Sequence, residues 1–301
     1  MGLQKATNPG VKGGQGDREA RVSIIIPYYN LSSERAHFLV EAVKSAKQQT
    51  HSNIEVIVVD DGSPIPAATA LGELKEVVVL RTENRGVSAA RNLGFQRSSG
   101  EYLIFLDSDD RLLPRAIETH LLALRGHRQA GMSFGATRTI NAIGIQIRPA
   151  HVCRPRSNYF LMLLEGNPIG SPGAAMMERV AYSAVGGFDD SLSMGEDYDL
   201  YLRIARRFPL VRHPACVLEY REHSANTSLA QERMLTSTMA ILDRIEPSLT
   251  VAERRRLPHA RRRWRHLFRR RSTLAYRLKS LYFSFRAMKG ISPLTYFGQQ
   301  R

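Results

Sequence analysis

The sequence predicts an α/β fold built on a mostly parallel central sheet with helices on both faces. Three observations lead there. Runs such as Val22-Ser-Ile-Ile-Ile-Pro27 and Ile54-Glu-Val-Ile-Val-Val-Asp60 are short, β-branched and apolar, which suits strands buried on both sides better than helices. Such runs alternate with helical stretches, the pattern of parallel strands joined by right-handed crossovers. Two of the runs also lead into carboxylates, Asp60-Asp61 and Asp107-Ser108-Asp109-Asp110. In open α/β sheets the carboxyl edge of the strands is where ligands bind.

Taken in order, residues 1–20 are polar and Gly-rich and read as a disordered lead-in with no apolar segment of signal-peptide type. The first strand, over 22–27, ends at a proline and is followed by a helix from about Ser33 to Gln48. The second strand, over 54–60, runs into Asp61-Gly62-Ser63-Pro64, which is turn chemistry, and Val77–Leu80 forms a third. Residues 86–97 place Val87, Ala90 and Leu93 on one helical face, and Gly100 breaks the chain before a fourth strand at Leu103–Leu106. Past Leu112 the pattern turns mixed. A helix near Pro114–Leu124 precedes two strands, Met132–Asn141 and Ile145–Pro149, joined by a Gly-containing turn. A Gly/Pro-rich passage at 167–173 leads to Ala174–Met177, and 186–197 reads as a loop feeding a helix through Arg206.

The charge is uneven. Residues 251–301 carry 15 of the 43 Lys and Arg with a single acid, Glu253, so nearly all of the formal +15 lies in that segment. With two cysteines far apart, Cys153 and Cys216, a disulfide framework or a four-ligand zinc site is excluded, and a reducing, cytoplasmic setting fits. No run of about 18 apolar residues suggests a spanning helix.

Asp107 and Asp109 are two apart, so in an extended segment they project to one side. Hard oxygen ligands at a strand end suit Mg²⁺ or Mn²⁺, which keep positions open for substrate phosphates. The alternative is a solvated turn with Asp110 capping the next helix. A carboxylate at Asp60-Asp61 suits a base N–H or a ribose hydroxyl, or belongs only to a β-turn.

The blocks VSIIIPYYN (22–30), VIVVDDGS (56–63), NRGVSAARN (84–92), GEYLIFLDSDD (100–110), GGFDDSL (186–192), GEDYDL (195–200) and YREHSANTS (220–228) resemble, in this order and spacing, the family-2 glycosyltransferases. The resemblance covers about 21–230, with 21–112 as nucleotide-binding half and 113–230 as acceptor half. It implies a GT-A fold, Rossmann-like in its sheet, a nucleotide-sugar donor with uridine the expected base, a divalent cation, and inversion at the anomeric carbon. By position, Pro27, Tyr29, Asp60 and Asp61 match base and ribose contacts. Arg85 and Arg91 lie in the block that approaches the nucleotide, where a guanidinium suits a diphosphate, although Arg91 could equally pair with one of the acids. Asp107, with Ser108 beside it, matches the ribose and donor-sugar contact. Asp109 matches the metal-binding acid, and His223 a histidine that completes the metal or diphosphate site in some relatives. Asp197, with Glu196 beside it, matches the base that takes the proton of the acceptor hydroxyl; both also sit where acids favour a helix start. A QxxRW block and membrane helices, features of processive members, are missing, which favours addition of one or a few sugars to a glycan or lipid-linked acceptor in cell-surface polysaccharide synthesis.

Residues 231–301 form a basic, mostly helical C-terminal extension. Within RRRLPHARRRWRHLFRRR (254–271), arginine with Trp264, Leu267 and Phe268 suits a basic amphipathic helix on an anionic membrane, with contact through 254–286. A helix packed on the catalytic domain by Leu274, Leu278, Leu281 and Tyr282 is the equal alternative, with nucleic acid well below both. Competing classes are a nucleotidyltransferase using similar acids and Mg²⁺ to make a nucleotide-sugar, and a non-enzymatic nucleic-acid-binding protein.

Overall fold

A computed structural model describes residues 19–32, 36–74, 76–151, 153, 154, 156–224, 226 and 229–272. The parallel half forms as the alternation requires. β1 (Val22–Tyr28), α1 (Ala36–Lys47), β2 (Ile54–Asp61), α2 (Ala67–Leu71), β3 (Val78–Thr82), α3 (Val87–Arg97) and β4 (Tyr102–Phe105) follow one another, and all four strands are parallel. β4 pairs β1 only as far as Phe105 opposite Ile25, so Pro27, which has no N–H to give, lies beyond that ladder.

The remaining elements are β5 (Arg111–Leu112), α4 (Ala116–Arg125), β6 (Met132–Asn141), β7 (Gln146–His151), α5 (Tyr159–Glu165), β8 (Ala175–Glu178), α6 (Arg179–Ala184), α7 (Glu196–Arg207), β9 (Leu210–Glu222), α8 (Gln231–Ile245), α9 (Val251–Arg254) and α10 (Leu257–Ser272). One nine-stranded sheet runs in the order β3-β2-β1-β4-β8-β6-β9-β5, with β7 also on β6. β9 joins β6 in parallel over most of its length, with register shifts facing the stretch that contains Pro214. It is therefore a strand that interior charges and a proline disguise in the sequence.

Alternate residues of the strands feed two cores. Ile25, Ile57, Val59, Leu103 and Phe105 face one side, and Ile24, Ile26, Val56, Val58 and Ile104 the other. α1 and α4 cover the second face with Leu39, Val43, Ile117 and Leu121. α3 lies against the first so closely that a Cβ on Gly94 would stand 2.3 Å from Ile25 Cγ2. Its buried positions are Ser88, Ala90, Arg91 and Gly94, while Val87 and Leu93 of the expected face are only partly covered. The short residues bring the helix down, and that approach carries Arg91 into the interior.

The C-terminal segment packs into the same first-face core. Ile241 and Leu242 of α8 and Leu257, Ala260, Trp264 and Phe268 of α10 are buried with Tyr198, Leu202 and Leu164. Trp264 donates its indole N–H to the Leu164 carbonyl at 2.9 Å and meets Tyr198 edge-on at 5.0 Å. The two residues expected to anchor a membrane-bound helix, Trp264 and Phe268, are thus covered by the protein, and Leu267 is partly so. Leu274, Leu278, Leu281 and Tyr282 lie outside the described residues. Among the described residues no helix is long and apolar enough to cross a membrane.

Candidate active site

The carboxyl edge of the parallel strands gathers the conspicuous acids, and each has its own partner. Asp107 leaves β4 and pairs with Arg91 Nη2 at 2.7 Å. The other terminal nitrogen of Arg91 pairs with Glu196 at the start of α7, at 2.8 Å. Arg91 is 3 % exposed, and its guanidinium carbon stands 4.9 Å from the centroid of the Phe188 ring. A buried arginine paired with one carboxylate 16 positions away and another 105 positions away in sequence joins the Asp107 loop to the helix that bears the expected base. Of the two readings of Arg91, the pairing with acids is the one this geometry displays, while its Nε–H is buried without a partner.

Asp197 follows Glu196 in the first turn of α7, and one of its oxygens accepts from the Tyr198 N–H at 2.7 Å. Burial, and then the neighbouring charge of Glu196, push its carboxyl up to about 7. A base in this range can hold a proton or release it near neutrality, as proton transfer to and from a substrate hydroxyl requires. One turn on, the Tyr201 hydroxyl is buried without a hydrogen-bond partner, and burial followed by the charge of Asp197 raises it well above an ordinary phenol.

Asp109 turns the other way. It meets His223 Nε2 at 2.8 Å, just past the end of β9, and the imidazole stacks on Phe38 of α1 at 5.4 Å between centroids. Arg221, fully buried two residues earlier, donates Nε–H to the Asp109 carbonyl at 2.7 Å and another N–H to the Ala142 carbonyl at 2.9 Å. It also pairs with Glu41 and lies over the Phe38 ring, 4.4 Å from its centroid. Asp110 accepts from the Arg221 backbone N–H at 2.8 Å and from Ser171 Oγ at 2.9 Å. Burial and the nearby Asp109 and Asp107 raise its carboxyl well above the usual range. Asp110 is thus a clamp between this loop and β9, not a helix cap. Ser108 sits partly exposed between the two working acids.

At the second acidic strand end, Asp60 is 1 % exposed and accepts from the Ser63 and Ala67 backbone N–H groups at 2.8 and 2.9 Å and from Arg81 at 2.7 Å. These contacts make Asp60 a builder of the turn at the edge where the nucleotide contact is expected. Asp61, 2 % exposed, likewise holds the backbone N–H groups of Arg85 and Gly86, at 2.8 and 2.9 Å, and so shapes the loop before α3. Pro27 is buried in β1. Tyr29, 48 % exposed, and the exposed Arg85 remain open at the edge.

Among the described residues no three His, Cys, Asp or Glu side chains converge as a ready metal cage. The Asp109–His223 pair still fits a divalent cation in chemistry. Mg²⁺ and Mn²⁺ are commonly held by one or two protein groups with the rest supplied by water and phosphate oxygens. Four residues of the site carried no signal in any block by themselves: Ser171, Phe38, Tyr201 and Arg221. Only Arg221 lay inside a recognisable stretch, YREHSANTS.

A sheet of this topology with acids along its carboxyl edge is the GT-A architecture of sugar-transferring enzymes. The chain belongs to glycosyltransferase family 2, whose description, Glycosyl transferase family 2, matches residues 23–186. An uncharacterized glycosyltransferase of Rickettsia conorii is 32 % identical over 192 residues, covering 63 % of this chain and 31 % of that protein. The chondroitin synthase of Escherichia coli is 29 % identical over 216 residues, 69 % of this chain and 30 % of its own. The chain therefore spans about a third of the length of these relatives. Among solved structures, S. aureus TarS 1–349 in complex with UDP-GlcNAc superposes with a TM-score of 0.63 at 14 % identity, over 90 % of this chain and 82 % of that one. The family match supports a sugar-transferring domain over residues 23–186.

Proposed function

We propose that the protein moves a sugar from a UDP-sugar, with inversion, to a hydroxyl of a glycan or lipid-linked acceptor, as in cell-surface polysaccharide synthesis. The observation that carries this reading is the Arg91 bridge, which sets the Asp107 loop beside the Glu196–Asp197 turn. Donor contacts and base then stand on either side of one locus. Tyr29 and Arg85 are open to the nucleotide, and the Asp61-held loop before α3 positions Arg85. Asp107 takes the ribose and donor sugar, with Ser108 beside it. Asp197 accepts the proton of the acceptor hydroxyl as its oxygen forms the new bond to the anomeric carbon and the nucleoside diphosphate departs from the opposite face. Glu196 holds Arg91 and keeps the charge next to Asp197 negative. Asp109 and His223 would hold Mn²⁺ or Mg²⁺, which when bound stabilises the charge of the leaving diphosphate as a Lewis acid. The UDP-GlcNAc complex of the structurally similar TarS supports a uridine donor.

The same reading places the enzyme in the cytoplasm, peripherally on an anionic membrane. Arg255, Arg262, Arg263 and Arg265 are exposed on the outer side of the C-terminal segment, while the apolar side of α10 is docked on the domain. Contact would be by charge at the headgroups, without insertion.

The test is release of UDP from a panel of UDP-sugars, with and without Mn²⁺, by the wild type and by Asp197→Asn. Donor-dependent release that falls at least a hundredfold in the variant is the expected result. Release of pyrophosphate from a nucleoside triphosphate, or release from UDP-sugars that the substitution leaves intact, would overturn it.

A further inference from the structure

A cleft of about 580 Å³ opens where α5 begins, α7 ends and β9 begins. Asp197 stands at the other end of α7, and the twelve residues of that helix span about 18 Å. The transfer site and this cleft therefore occupy opposite ends of one rigid element. A second cavity of about 490 Å³ lies between α7 and α8, but Asp199, Arg203, Arg244 and Asp189 there neutralise one another. The first cleft has no such balance.

Its lining holds Arg156, Arg206, Arg207, Arg212 and His127 and not one carboxylate. Arg206 is spoken for: it pairs with Glu253 at 2.7 Å, donates to the Ser248 carbonyl and stacks on Phe160 at 4.8 Å. Arg156, Arg207 and Arg212 have no carboxylate partner among the described residues. Among the described residues Arg207 meets the Ala184 carbonyl, and Arg212 hydrogen-bonds the Cys153 side chain while its Nε–H is buried without an acceptor. A buried guanidinium N–H left unmade costs more than an exposed one, so the fold tolerates here what an anion would satisfy. Tyr159, Phe160 and Phe208 also line the cleft and add apolar surface to it, with Arg206 stacked on Phe160. The volume is within the range of small-ligand sites.

We propose that this cleft is a second binding site, separate from the transfer site, for a ligand with a multiply charged phosphate group. The phosphate meets Arg156, Arg207 and Arg212, whose planar forks match its oxygens in pairs, and an apolar or ring portion lies along Tyr159, Phe160 and Phe208. The site does not depend on the transfer reading. The ligand is a free phosphate ester or the phosphate of a lipid headgroup, and the test separates the two.

The experiment measures binding of inorganic phosphate and pyrophosphate to the full chain by calorimetry, and sedimentation with vesicles of phosphatidic acid in phosphatidylcholine. It is repeated with Arg212→Gln, Arg156→Gln and Asp109→Ala. Arg156 is exposed, so its substitution leaves folding intact even if Arg212→Gln does not. Expected is a loss of phosphate affinity of tenfold or more in Arg156→Gln and Arg212→Gln with their UDP binding unchanged, while Asp109→Ala keeps its phosphate affinity at this cleft. Vesicle binding that soluble phosphate displaces, and that the same two substitutions weaken, assigns the ligand to the lipid class; phosphate binding without vesicle binding assigns it to soluble esters. Phosphate that binds equally to all variants, that UDP displaces, or that does not bind, overturns the proposal.

Discussion

Substituting Asp197 by asparagine should abolish transfer and stabilise the protein. In an unfolded chain this carboxyl ionises near 3.8, whereas in the folded protein it holds its proton up to about 7. Between those values the folded state binds more protons than the unfolded one, so the contribution of Asp197 to stability falls as pH rises through the window. The gap sets a ceiling on the order of 4 kcal/mol for the penalty above pH 7. Partial access to solvent screens it, leaving a working expectation of about 1–3 kcal/mol. Asparagine keeps the shape and cannot ionise. Calorimetry of both proteins from about pH 3.5 to pH 8 should therefore show equal melting temperatures at the acid end, below the unfolded-state value of 3.8, and a gap in favour of Asp197→Asn that opens above it and widens to roughly 2–10 °C at pH 8. Over the same range wild-type kcat/KM should rise with a midpoint near 7, and the variant should lose a factor of about 10²–10⁴. A variant less stable than the wild type by the same margin at every pH would refute the strained-base argument. So would a wild-type rate that is flat from pH 5.5 to 8.

Arg91→Met strands Asp107 and Glu196 in a dry interior, and denaturant unfolding should show a loss of about 3–5 kcal/mol; a loss below 1 kcal/mol would mean the bridge is not buried in solution. The buried pair His120 and His213, 3.1 Å apart and held by Ser133, acts in the opposite pH sense to Asp197. Burial depresses both, His213 to about 4, so their stability is full above pH 6.5 and falls as pH drops toward 4; His213→Gln should recover up to about 3 kcal/mol relative to wild type between pH 7 and 4.5, and parallel curves would contradict it. Trp264→Ala should cost about 3–5 kcal/mol, with Trp264→Phe restoring most of it, since the ring fills the core behind Tyr198. Because Trp264 is the sole tryptophan and is covered, its fluorescence should not shift when the protein meets anionic vesicles; Arg262→Gln, Arg263→Gln and Arg265→Gln together should weaken that contact about a hundredfold, at ~1 kcal/mol each.

How far the sequence could be read depended on where each residue took its character from. The parallel half was legible because β1, β2 and β4 are largely buried on both faces and so read as near-continuous apolar runs, broken only by Ser23, Glu55 and the terminal Asp60 and Asp61, a local signal that survives without neighbours. β9 was not, because its charged and proline residues are reconciled by a bulge, by Asp110 and by Glu41, none of them near it in sequence. The acids of the site were visible as types and spacing. Their division of labour was not, since Asp60 and Asp61 look alike in the chain and differ from Asp109 only in which donors the fold brings to them. The α10 segment stayed open between two readings for the same reason: arginines around Trp264 and Phe268 have one periodicity whether the apolar stripe meets lipid or meets Tyr198 and Leu164.

The three acids after β4 show how a single turn can hold so much negative charge. Each is compensated by a different element: Asp107 by a cation from α3, Asp110 by hydrogen bonds from β9 and Ser171 at the expense of its ionisation, and Asp109 by an imidazole that is itself propped on Phe38. Only the last arrangement leaves a carboxylate and a neutral-capable nitrogen side by side, partly accessible, with no arginine between them. Arg221 explains why that pair is fixed, because one side chain ties the Asp109 carbonyl to the 142 turn and to α1. An isolated DxD could not be distinguished from a solvated turn, but this one is cross-braced from three directions. Such bracing is what the proposed cation site would require, since ligands keep their geometry only when the groups behind them are fixed.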